Sequence, residues 1–101
     1  MANLSVTVCG VELKNPLIAA SGTYGFGREF NELYDIGQIG GVSTKGMTLE
    51  PRLGNPVPRI AESRGVILNA VGLQNPGVEH VIAHELPRLK SHYNGCIVAN
   101  V

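Results

Sequence analysis

A chain of 101 residues, 44% of them apolar, is long enough for one small hydrophobic core and too short for several. Eight basic and eight acidic residues cancel, so net charge gives no electrostatic case for nucleic acid or an anionic membrane surface as partner. No apolar run approaches the roughly 20 residues of a membrane span; MANLSVTVCG shows neither a basic n-region nor a long apolar core, and the cytoplasm is the expected compartment.

The first expected element is a β-hairpin. LSVTVCGVELKNP alternates apolar and polar residues, with Gly10 as a break, which places strands over 4–8 and 11–13. PLIAAS follows as a continuous apolar run, the pattern of a parallel strand covered on both faces. After the glycine-rich SGTYGFG, the segment REFNELYDIG sets Phe30, Leu33 and Tyr34 at helical spacing, with Gly37 as a stop. GVSTKG is a second short strand, closed by Lys45 and Gly46. Residues 47–65 hold three prolines and two glycines and read as irregular, although RIAES and GVILNA can pair as a hairpin around Arg64 and Gly65. VEHVIAHELPRLK fits a second helix, with Val78, Val81, Ile82, Glu85, Leu86 and Leu89 along one side and an interruption at Pro87. CIVANV is a third apolar strand, and its abrupt end suggests part of a longer protein.

Strands alternating with helices argue for α/β architecture with a parallel sheet. Periodicity alone does not separate an open doubly wound sheet from a barrel. SGTYGFG lacks the G-x-G-x-x-G spacing, which weighs against a dinucleotide-binding turn. Cys9 and Cys96 have no metal-type spacing and are expected as small, reduced, buried side chains. His80 and His84 lie opposite the apolar stripe without completing H-E-x-x-H, so a solvated face is expected there and no metal site.

Each apolar strand runs into polar residues: Ser21, Lys45 with Gly46, and Asn100. In parallel α/β folds ligands bind at the carboxyl ends of strands, so these three ends are candidates for one pocket. Lys45 could act as a Schiff-base nucleophile, or stay charged and hold an anion or a reduced cofactor's negative charge. LNAVGLQNPG, residues 68–77, carries three carboxamides and no charge. Amides donate and accept together, which suits the edge of a neutral heterocycle. Asn69 is assigned to ligand, and Asn75, in an Asn-Pro-Gly turn, to structure.

LKNPLIAASGTYGFGREF, STKGMTLEPRLGNPVPRIAES and NAVGLQNPG together resemble the dihydroorotate dehydrogenase family, in its NAD-linked, class 1B branch, with Gln74 and Pro76 pointing to that branch. The resemblance implies the N-terminal part of a (β/α)8 TIM barrel, preceded by the hairpin, with residues 1–101 forming an incomplete portion of a single FMN-binding domain. It implies FMN contacts from Ser21, Lys45, Gly46 and Asn100. It implies dihydroorotate contacts from Lys45 and from Asn69, Ala70, Val71, Gly72 and Leu73. The catalytic base of that branch is a cysteine on a loop outside these residues; Cys9 and Cys96 do not match its motif. Also implied are a homodimer and an electron-transfer subunit bearing FAD and an iron–sulfur cluster. A segment without the base is expected to be inactive alone. The rivals are another flavin barrel acting on a pyrimidine ring, a Schiff-base aldolase using Lys45, and a non-catalytic binding module.

Overall fold

A computed structural model describes residues 2–101. β1 (Val6–Val8) and β2 (Val11–Leu13) pair antiparallel, with Val8 opposite Val11. That register leaves Cys9 and Gly10 as a two-residue turn, and both have positive φ, 50° and 79°. This is the type I′ pattern, whose twist matches the strands it joins. The turn puts Cys9 at an exposed tip, and Cys96 is only half-buried, so neither thiol is the buried core residue expected from composition. β1 also begins at Val6, two residues later than alternation suggested.

Three strands form a parallel sheet in the order β3 (Ile18–Ala19), β4 (Gly41–Ser43), β7 (Cys96–Val98). Ala19 pairs with Val42, and Val42 with Ile97. Parallel neighbours need long crossovers, and helical segments supply them. α1 (Ser21–Tyr24) and α2 (Arg28–Asn31) lie between β3 and β4. Between β4 and β7 runs an excursion carrying the antiparallel pair β5 (Ile60–Ser63) and β6 (Val66–Asn69), followed by a longer helix. The middle strand is the best covered: Gly41 and Val42 are buried and Ser43 partly so, whereas Leu17, Ile18 and Val98 are open to solvent. The expectation that PLIAAS forms a strand covered on both faces is therefore not met: β3 is an edge of this sheet and Leu17 and Ile18 are exposed.

The core joins Tyr24, Ile36, Val42, Leu89 and Tyr93, with Phe30 and Ile97 packed against them. Each such side chain is worth about 1.5–3 kcal/mol when fully buried. Tyr93 donates its hydroxyl proton to the Ile39 carbonyl at 3.0 Å. A Cβ at position 95 would lie 2.2 Å from that hydroxyl, so only glycine leaves the ring room to fold back.

Two helices differ from their sequence pattern. SGTYGFG contains one helical turn, α1, and the helix expected over 28–37 is only α2. Phe30 stacks on Tyr24 at 4.5 Å between ring centroids, but Leu33 is 78% exposed and belongs to no core face. Asp35 explains the early stop: its Oδ1 accepts from the Gly37 amide at 2.8 Å and caps a 3-10 turn over Ile36–Gln38. A side chain that captures a local backbone amide competes with helix continuation. The second helix comprises α3 (Val78–His80), a π turn over Val81–Glu85, and α4 (Leu86–His92). The Leu86 amide donates to the Val81 carbonyl, five residues back. Pro87 has no amide to continue a four-residue ladder and its ring would crowd the carbonyl four residues earlier; the wider turn absorbs both defects. His80 and His84 lie on the exposed side with ring centroids 4.6 Å apart and planes inclined at 48°, and His80 Nε2 is 3.8 Å from Glu85.

Candidate functional site at the carboxyl rim of the sheet

Ser21 lies two residues beyond β3, Lys45 two beyond β4 and Asn100 two beyond β7. Their parallel strands deliver them to the same rim, and hydrogen bonds tie them together. Asn100 Nδ2 donates to Ser21 Oγ at 3.2 Å, across 79 residues of sequence. The Met47 amide donates to the Asn100 carbonyl at 3.0 Å, and the Lys45 amide to the Gly25 carbonyl at 2.9 Å. Gly46 sits where the ends meet: a Cβ there would lie 3.3 Å from Asn100 Nδ2 and 3.0 Å from Leu73 Cδ1.

Thr44, which the sequence reading passed over, holds this rim. It is wholly buried. Its amide donates to the Val98 carbonyl at 2.9 Å, and its Oγ1 accepts from the Asn100 amide at 3.2 Å. Burial between a polar Ser43 and a charged Lys45 leaves little signal in VSTKG, because both partners come from a distant strand. Lys45 is half-buried. Among the described residues its ammonium makes no ion pair; the two pairs there are His80–Glu85 and Arg88–Glu85.

The 69–73 loop approaches from the excursion. Asn69 ends β6 opposite Ile60 and is exposed. It lines a shallow cleft with Pro58, Arg59 and Leu68, a cleft that includes none of Ser21, Lys45 or Asn100. Leu73 is the loop's contact with the rim, through Gly46. Residues 52–59 hold the loop's other side. The Asn55 amide donates to the Val71 carbonyl at 2.9 Å, and Asn55 Nδ2 to the Ala70 carbonyl at 2.8 Å. Gly54 allows this closeness, since a Cβ there would fall 2.2 Å from the Val71 carbonyl oxygen. Arg59 spans the gap, donating to the Leu53 carbonyl at 3.0 Å and to Gln74 Oε1. Asn75 takes the turn role: its Oδ1 accepts from the Gly77 amide at 3.0 Å.

A parallel α/β unit with polar groups from successive strands drawn to its carboxyl rim is the ligand-binding arrangement of α/β enzymes. The family model for dihydroorotate dehydrogenase matches residues 3–101, and the chain belongs to that family. It is 52% identical over 101 residues to the dihydroorotate dehydrogenase B (NAD(+)) catalytic subunit of Listeria monocytogenes, covering 100% of this chain and 33% of that protein. Identity to the subunit of the same name from Caldicellulosiruptor saccharolyticus is 57% over 99 residues, covering 98% of this chain and 33% of the relative. The chain thus spans about a third of the length of the curated relatives it matches. Its fold is similar to that in the crystal structure of DHODH in complex with ferulenol from Eimeria tenella, with a TM-score of 0.59 and 25% identity, covering 97% of this chain and 29% of that one.

Proposed function

We propose that residues 1–101 are the first portion of the single FMN-binding (β/α)8 barrel of an NAD-linked dihydroorotate dehydrogenase catalytic subunit, which oxidises dihydroorotate to orotate in pyrimidine biosynthesis. The observation that carries this reading is Asn100, which lies against Gly46 past β4 and is bonded to Ser21 past β3. The donor set suits FMN: a hydroxyl, an ammonium and a carboxamide match a ring edge that alternates C=O and N–H. Space suits it too, since a Cβ at Gly22 or Gly25 would meet nothing within 4 Å, leaving backbone open to a flat ring. When bound, FMN supplies the two-electron acceptor for the oxidation.

The chain's own residues then bind and orient. Ser21, Gly46 and Asn100 hold the flavin. Lys45, free of ion pairs among the described residues, offers its positive charge to the flavin pyrimidine end and to the substrate carboxylate. Asn69 donates to and accepts from the substrate ring, and Ala70, Val71, Gly72 and Leu73 shape the wall around it. The proton is removed by a cysteine outside residues 1–101. Cys9 stands on a hairpin tip and Cys96 begins β7, at the end away from Asn100, which supports leaving both out of that role. The relatives' designation as a catalytic subunit supports a second subunit; on the family resemblance, that subunit bears FAD and an iron–sulfur cluster and passes electrons to NAD. A homodimeric catalytic core in the cytoplasm completes the reading. No helix among the described residues is long and apolar enough to cross a membrane.

Competition by orotate and uracil tests the substrate assignment in a full-length protein carrying these residues. A charge-assisted bond to the carboxylate is worth about 1.5–3 kcal/mol, so orotate should compete at least about tenfold better than uracil. Equal competition would point to a different pyrimidine-handling flavin barrel. A borohydride-trapped substrate adduct on Lys45 would point to aldolase chemistry.

A further inference from the structure

The side chain of Asn75 does more than close a turn. It is 5% exposed, and every polar atom of its amide is engaged. Oδ1 accepts from the Thr48 amide at 3.1 Å and from the Gly77 amide at 3.0 Å. Nδ2 donates to the Leu73 carbonyl at 2.9 Å and to Thr48 Oγ1 at 3.1 Å. Thr48 Oγ1 spends its own proton on the Glu50 carbonyl at 2.6 Å, so towards Asn75 it is an acceptor. One carboxamide therefore joins the segment three residues past Lys45 to the backbone of the 69–73 loop. The carbonyl it holds belongs to Leu73, whose φ of +55° lies in the left-handed region that bulky residues rarely occupy. Such a conformation persists only where surrounding contacts impose it, and the Asn75 amide contacts that very peptide.

We propose that Asn75 is a positioning residue that sets the 69–73 loop against Lys45 and Gly46 by fixing the left-handed backbone of Leu73. The assignment of orotate to that loop rests on the function proposed above. Asn75→Asp tests the effect: it keeps the size and the acceptor oxygen, and replaces the N–H groups that reach the Leu73 carbonyl and Thr48 Oγ1 with an acceptor oxygen and a negative charge, so a Leu73→Gly background separates the Leu73 contact from the rest.

Full-length, FMN-loaded protein is titrated with orotate, with flavin retention and thermal midpoint followed alongside. Asn75→Asp is expected to weaken orotate binding by about tenfold while flavin stays bound. In a Leu73→Gly background, where the left-handed conformation is free of steric cost, the same change should cost less than about threefold. Equal losses in the two backgrounds, or parallel loss of flavin and orotate, would show a general structural role and overturn the proposal. If Asn75→Asp does not fold, Asn75→Ala gives the same test, because it too removes the donor to the Leu73 carbonyl; unchanged orotate affinity there overturns the proposal. Wild-type protein that retains FMN but does not bind orotate contradicts the substrate reading, whereas wild-type binding with unaltered variants contradicts only the positioning role.

Discussion

Tyr24 shows how a single residue links packing to pH. Its ring is buried against Phe30, and its hydroxyl lies 3.4 Å from that of Tyr34. Burial first, and the Tyr34 hydroxyl second, hold the phenol protonated well above the usual tyrosine value. Tyr93 shifts the same way, from burial and then from Cys96 beside it. In the unfolded chain both would ionise near pH 10. Their stabilisation is therefore complete below pH 10 and is lost as the pH climbs from there towards the folded-state values, at no more than about 1.4 kcal/mol per pH unit for each group. Denaturant melts of the protein between pH 9 and 11.5 should show this decline, and Tyr24→Phe should remove Tyr24's share. A slope unchanged by that substitution would contradict the assignment. Other residues were legible to different degrees. Ser21, Lys45 and Asn100 stood out because each breaks an apolar run. Thr44, Asn55 and Arg59 did not, because their bonds reach backbone groups that only the fold brings near; Thr44 meets Asn100 across 56 residues.

At the scale of elements, period-two alternation and turn residues located both hairpins to within a few residues, and each short apolar run became a strand. Helix content was read less well. Asp35 diverted the first helix, and Pro87 reshaped the second by widening a turn. The widening has a packing consequence. Residues eight apart on a regular α-helix are rotated by about 80°, and residues seven apart by only about 20°. One extra residue in a π turn restores the closer match, so Val81 and Leu89 can both be buried, as observed. Replacing an interior helical proline ordinarily gains about 3 kcal/mol. Here the missing amide is already accommodated and the burial of Val81 and Leu89 retains the wider turn. Pro87→Ala should therefore change unfolding free energy by less than about 1 kcal/mol. A gain near 3 kcal/mol in denaturant titration would mean that the proline is strained after all.

For the molecule as a whole, size and shape matter. The radius of gyration is 15.5 Å, larger than the roughly 13 Å of a compact domain of this length. The sheet has one covered strand and two open edges, and the β5–β6 ribbon exposes Ile60, Ile67 and Leu68. Those features fit a barrel segment, since a closed (β/α)8 domain takes about 250 residues. Sequence could not settle this level by periodicity: open and closed parallel sheets share the same strand pattern, and the distinction lies in which strands become neighbours. The proposed barrel rests on the three family motifs; the β3–β4–β7 order, sequential within this sheet, accords with it and is shared by each half of a doubly wound sheet.

FMN content of the full-length protein, with wild type set beside Asn100→Ala and Gly46→Val, tests most directly whether the three strand ends form one flavin site. Wild type should purify yellow with about one flavin per chain. Asn100→Ala should lose about tenfold in FMN affinity, the value of one good hydrogen bond, and Gly46→Val, with its side chain forced against Leu73 and Asn100, should lose the flavin. A colourless wild type, or FMN affinity indifferent to both substitutions, would contradict the site.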